Sequence, residues 1–407
     1  MPPKRKAPSE TLETPQPTRK SARIINREPL AGASARATPV ETGLSALSTD
    51  VKPPETWPDL CRKAKERIDR YEAAVDDSTS PKDKAKGKGH KKTKRADQKL
   101  KACMTALLDW LPAGGRDSAA RDILQCKTDD KLYEMFENIY TYLLAPLKTA
   151  GSNSASRTPI DKREENSIEV IASTLGNPQQ QEEQFCEDLL RRDNYRCVIT
   201  QDLHWQKWEE IGAPEDLDCD YIKAAHIIPF SLASWKAEPG STYNISQVWE
   251  ALYQYFPAVR HVIGTKNIND RSNGFCLRED MHRAFSSFSI AFKPTNTPNI
   301  YNLKSYRRAR ATQVRRIITN VGQITLQAAN GAGDIPIPNP VLLDYHWRVA
   351  EILNASGIDK EIDKYIRELE AVKMSMGDGS LNEDGSSDLS RYLDAAFWGR
   401  SDRAVSY

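Results

Sequence analysis

Apolar residues recur at helical spacing through the first part of the chain. Leu60, Ala64, Ile68 and Tyr71 share one face of residues 57–74. Leu100, Cys103, Met104, Leu107, Leu108 and Leu111 share another, ended by Pro112-Ala113-Gly114-Gly115. Leu132, Met135, Phe136, Ile139, Tyr142 and Leu143 predict a third helix before Pro146. Together these segments predict a small helical bundle over 51–150, interrupted by a basic loop at 77–101. Its stripes are core or partner-binding faces, and nothing in them carries chemistry.

The pattern changes in the second half. Residues 180–192 predict a charged amphipathic helix, and Cys197-Val198-Ile199-Thr200 a strand. A short apolar strand pattern runs up to Pro229, and a turn-rich stretch containing Asn273-Gly274 precedes another helix start. Residues 231–266 form an insertion with Trp235, Trp249, Tyr253, Tyr255 and Phe256, and with helical spacing over 248–256. So many aromatic residues predict a packed subdomain rather than a loose loop. Residues 289–293 and 323–326 predict strands, and 340–353 and 359–372 helices, with His346 among apolar helix positions as a core histidine.

Composition divides the chain further. Residues 1–50 are rich in Pro, Ser, Thr, Lys and Arg and too poor in large apolar groups to offset the entropy of ordering, so they predict a disordered basic tail. Residues 151–165 read as a linker, 166–372 as the second domain (core 195–294) and 373–407 as a mostly disordered acidic tail. With 407 residues, 39% apolar and 28% charged, the chain predicts several folded units joined by linkers. Its 58 basic and 56 acidic residues leave a net charge of +2, segregated locally. Lys4-Arg5-Lys6, Arg19-Lys20 and Lys91-Lys92-Thr93-Lys94-Arg95 predict nuclear localisation through an import receptor, and no apolar run predicts a membrane span. Seven scattered cysteines predict reduced thiols. A zinc site from Cys197, Cys219 and Cys276 is not expected, because no close ligand pair is present.

The candidate chemistry lies in two runs. The first is D-L-D-C-D-Y-I-K-A-A-H-I-I-P-F, delivering His226, and the second is N-I-N-D-R-S-N-G-F-C-L-R-E-D-M-H-R-A-F, carrying Asn273 and His282. A histidine ending a strand, an asparagine in a loop and a histidine in the next helix resemble the HNH nuclease motif, in wording most like fungal HNH domains. The resemblance implies an α+β fold with a ββα-metal HNH core, helical additions, and a mainly helical N-terminal region preceding it.

The resemblance further implies a metal-dependent endonuclease hydrolysing phosphodiester bonds in DNA. His226 would be the general base and His282 the ligand of a single Mg²⁺ or Mn²⁺ ion. Asn273 would orient the His226 loop or complete the metal shell, and Gly274 would permit the tight turn beside it. Lys266, Arg271, Arg278, Arg283, Arg307, Arg308 and Arg310 are the candidate nucleic-acid contacts. Two positions depart from the family pattern. Ala225 precedes the base where many members carry a ligand, and Ser286 stands one helical turn after His282 where many carry His or Asp. The alternative is a catalytically degenerate HNH scaffold acting as a nuclear DNA- or protein-binding module.

Overall fold

The computed structural model describes residues 55–72, 88–151, 183–234, 239–306, 314, 317, 321–364 and 367. The predicted tails, the 151–165 linker and the Arg307–Arg310 cluster lie outside or almost outside these ranges.

The N-terminal helices are α1 (Trp57–Asp69), α2 (Lys88–Trp110), α3 (Gly115–Gln125) and α4 (Asp129–Ile139). α1 buries Leu60, Ala64 and Ile68, the stripe its spacing predicted. The Thr128 hydroxyl caps α4 by accepting a hydrogen bond from the Lys131 N–H at 3.3 Å. Two details differ from expectation. α2 begins at Lys88, so much of the basic tract read as a loop is helical. Lysine, arginine, alanine and glutamine are good helix formers, and the buried Leu100–Leu111 face continues from them. Pro146 does not end the third helix either. A single π-helical turn, Tyr140–Leu144, leads into α5 (Ala145–Gly151), so the proline occupies a first turn, where its missing N–H costs little.

After α6 (Glu183–Arg192), residues 197–200 form a turn and not the predicted strand. The turn is closed by Gln201 N–H to the Cys197 carbonyl at 2.9 Å and by Cys197 N–H to the Asp202 carbonyl at 3.0 Å. Its apolar side chains are buried as a corner: Cys197 and Ile199 face the core. Short β1 (Leu203–His204) runs parallel to β2 (Cys219–Asp220), with α7 (Trp205–Glu210) between them.

β3 (Ile222–His226) pairs antiparallel with β4 (Gly274–Arg278), and the intervening insertion contains α8 (Pro239–Tyr255). Trp249, Tyr255 and Phe256 are buried, so the described aromatic residues of the insertion serve mainly as packing. α9 (Glu279–Ser286) follows β4 directly. Then come the antiparallel strands β5 (Ile290–Pro294), β6 (Ile300–Ser305) and β7 (Gln323–Thr325), then α10 (Pro340–Ser356), and residues 358–364 are helical again after Gly357. β6 is the middle strand of its sheet, yet its sequence lacks clean alternation, which hid it. Asn299, in the left-handed conformation (φ 60°), turns the chain from β5 into β6.

The result is a mixed helix-and-strand fold. A continuous set of buried apolar residues joins the helical region to the strands. α10 packs on α2, where the Trp110 and Trp347 rings meet edge to face at 6.0 Å and Arg348 Nη1 donates to the Trp110 carbonyl at 2.9 Å. Among the described residues, no helix is long and apolar enough to cross a membrane.

Candidate active site

The site is assembled where β3, β4 and α9 meet. His226 is the last residue of β3, opposite Gly274 at the start of β4. The chain then leaves the strand as Ile227-Ile228-Pro229, and Asn273 holds this exit. Its backbone carbonyl accepts from the Ile227 N–H at 2.8 Å. The side-chain oxygen accepts from the Ile228 N–H at 2.9 Å, while the amide nitrogen donates to the Ile228 carbonyl at 3.1 Å and the Ile268 carbonyl at 2.9 Å. Asn273 is 0% exposed. Its amide is therefore committed to the His226 loop, and its oxygen is not open to an ion. These hydrogen bonds are of the kind that the loop-orienting use considered from sequence requires.

Gly274 also has a different use from the one expected. Its φ of −163° is ordinary extended backbone, so no tight turn requires glycine here. What requires it is space. A Cβ at this position would lie 2.6 Å from the Phe185 ring, 2.8 Å from the Ala225 carbonyl and 2.9 Å from Leu189. The missing side chain lets the Phe185 ring, from α6, lie flat on the His226 imidazole at 4.1 Å between centroids and 10° between planes.

His226 Nε2 is 3.2 Å from the Asn269 side-chain oxygen. An amide oxygen only accepts, so the neutral ring donates through Nε2–H and carries its lone pair on Nδ1. Burial pushes the His226 pKa down to about 4. The Asn269 hydrogen bond works in the opposite direction, and charge on His282 adds to the lowering. His282, on α9, is pushed down to about 4 as well, by burial first and then by the Lys223 ammonium. Both imidazoles are thus neutral near pH 7.

Two further groups anchor the frame. Arg192, 0% exposed, binds the Asp193 carboxylate with two nitrogens and also donates to the backbone carbonyls of Arg271, Gly274 and Pro336. Asp193 in turn accepts from the Cys276 N–H at 2.7 Å. This pair ties α6 to the start of β4 and thereby to Gly274. Arg271 donates to Asp188 at 2.8 Å and to the Asn269 carbonyl at 3.1 Å, which steadies the residue that holds His226.

A divalent cation would have few protein donors. His282 offers a neutral imidazole, and Glu279 precedes it by three positions, hence on the same helix face. Ala225 is fully buried against the core. Among the described residues, no group of three His, Cys, Asp or Glu could hold a metal. This donor set fits a hydrated Mg²⁺ or Mn²⁺ completed by water and substrate oxygens; it does not fit a closed zinc cage.

The predicted nucleic-acid contacts separate into two groups. Arg283 is 80% exposed and Lys266 is exposed on a surface turn, so both are accessible. Arg278 is not: Asp280 and Asp202 bind it at 2.6–2.8 Å, with Asp220 at 3.5 Å. Those carboxylates push its pKa further up, so it is a structural cation, and Arg271 is likewise engaged by Asp188. Arg307, Arg308 and Arg310 lie outside the described residues. Sequence reasoning missed Asn269, Phe185 and Lys223. Asn269 stood in the quoted N-I-N-D-R-S-N-G run, and Lys223 two positions after Tyr221 in the His226 strand, but only the fold brings them to the two histidines.

No curated protein and no solved structure matches the chain. Residues 197–293 match the family model described as HNH endonuclease, a span that begins at the Cys197 turn and ends within β5. Over that span the chain is similar to HNH endonucleases, and His226, Asn273 and His282 all lie inside the matched residues.

Proposed function

We propose that this domain is a metal-dependent endonuclease that hydrolyses phosphodiester bonds in DNA. The observation that carries the reading is the packing of α9, which bears His282, against β3, which ends in His226, and against β4. His226 Nδ1 takes a proton from water while Asn269 holds the opposite edge of the ring. The β3–β4–α9 arrangement serves as the ββα core, with Asn273 fixing the loop after the base. His282, with Glu279 nearby, would hold one Mg²⁺ or Mn²⁺ ion, which supplies Lewis-acid stabilisation of charge on the phosphate and the departing sugar oxygen. Arg283, Lys266 and Lys223 provide exposed positive charge for the substrate backbone. The basic clusters of the N-terminal segment address the protein to the nucleus.

The test is cleavage of plasmid DNA by purified protein with Mg²⁺ or Mn²⁺, beside His226→Ala. The proposal expects cleavage that the variant loses. A second reading rests on Ala225 and Ser286, which stand where many HNH domains carry metal ligands: a silent scaffold that binds nucleic acid without cutting it. Salt-sensitive DNA binding without cleavage by either protein would favour it.

A further inference from the structure

The helix that carries His282 is short, and its C-terminal end is held by side chains from two other parts of the chain. α9 has eight residues, so the carbonyls of its last turn are many relative to its length. Lys148, on α5 of the helical region and only 3% exposed, donates through Nζ to the Ser287 carbonyl at 2.6 Å, with the Asp363 carboxylate at 3.5 Å. His346, on α10, donates through Nε2 to the Phe285 carbonyl at 3.1 Å and is stacked between Phe285 and Phe288 at 3.7 and 4.5 Å. A buried ammonium costs several kcal/mol to desolvate unless it is compensated. Here it meets the negative end of the α9 dipole as well as a carboxylate.

We propose that Lys148 is a positioning residue for His282, and that the helical region braces the catalytic helix as part of the nuclease. The inference rests on the reading of His282 as the metal-holding residue. Through Lys148, the axial placement of α9, and with it the His282 ring against His226, is set by α5. Burial of Lys148 by apolar neighbours alone would not need its nitrogen; the hydrogen bond to a carbonyl 139 positions away does.

The test uses the full chain with Lys148→Met and Lys148→Arg. Mn²⁺ is titrated while paramagnetic broadening of the His282 ring signal is followed by NMR, and amide exchange is measured across α9. The Mn²⁺ concentration for half-broadening is expected to rise about fivefold or more in Lys148→Met, with faster exchange at the end of α9. Lys148→Arg, which keeps the donor, is expected to recover most of the difference. Wild-type values in a folded Lys148→Met protein would overturn the proposal. Should Lys148→Met fail to fold, Lys148→Leu, which also removes the donor, is measured instead under the same criteria. If wild type shows no broadening of His282, the metal reading fails, and the exchange rates of α9 alone decide the bracing.

Discussion

Asn269 holds His226 by its Nε2 edge, at 3.2 Å, and so decides which nitrogen of the ring is free to accept a proton. Asn273, four positions later, fixes the chain that leaves the ring. The two asparagines thus act on His226 in different ways, the first setting its tautomer and the second its loop. Replacing Asn269 with Ala should therefore lower kcat about tenfold with little change in KM, whereas His226→Ala should cost about a hundredfold or more. Steady-state cleavage kinetics separate these cases, and an Asn269→Ala protein with unchanged kcat would remove the tautomer argument.

The depressed pKa of His226 has a direct consequence for the pH profile. A base with a pKa of about 4 stays neutral down to that pH, so the acid limb of kcat/KM should lie well below the ordinary histidine value of 6.5. Asn269→Asp would place a carboxylate beside the ring and favour its charged form, moving the limb upward. An acid limb at 6.5 in the wild type would contradict the burial of this ring.

Stability should carry the same signature. His226, His282 and His346 are all depressed in the folded chain, the last to about 3. Between those values and 6.5 the unfolded chain binds more protons, so stability falls as the pH drops below 6.5. For fully buried His346 the slope approaches about 1.4 kcal/mol per pH unit. Urea unfolding of wild type and His346→Gln at pH 7.5, 6.0 and 5.0 should show a shallower pH dependence in the variant.

Gly274→Ala tests the close approach of Phe185. With 2.6 Å to the ring and 2.8 Å to a backbone oxygen, the added methyl forces a shift that should cost about 1–3 kcal/mol. Because the ring that must move is the one stacked on His226, cleavage should fall too. Denaturation midpoints and activity measured on the same preparation check both effects, and a variant with wild-type stability would refute the spatial role of this glycine.

The basic residues give a contrast of roles. Arg283→Ala should leave stability nearly unchanged and reduce the salt dependence of DNA binding by about one unit of slope. Arg278→Ala should do the reverse: it leaves Asp202, Asp220 and Asp280 facing one another and destabilises the fold. Binding isotherms over a range of salt concentrations distinguish the two.

Much of this arrangement was legible in the sequence because its signals are local. Helical spacing placed α1, α4, α6 and α10, and the apolar run before Pro229 placed β3 with His226 at its end. The order histidine, asparagine, histidine pointed to the domain that residues 197–293 match. What stayed hidden depends on distant partners. β6 owes its existence to strands on both sides, and Cys197-Val198-Ile199-Thr200, rich in β-formers, is bent into a corner by backbone bonds to residues 201 and 202. Arg278 looks like a phosphate ligand until Asp202, 76 positions earlier, is found against it. Gly274 sits in a turn-like sequence, yet it is required by a phenylalanine from a helix far upstream.

A double-mutant cycle tests the pairing of the two imidazoles most directly. Wild type, His226→Ala, His282→Ala and the double variant are compared for Mn²⁺-dependent plasmid cleavage, with circular dichroism confirming that each is folded. Groups acting in one step are strongly non-additive, so the double variant should be about as slow as the worse single one. Losses that simply multiply, or cleavage that survives either substitution, would mean that His226 and His282 do not work on the same phosphate.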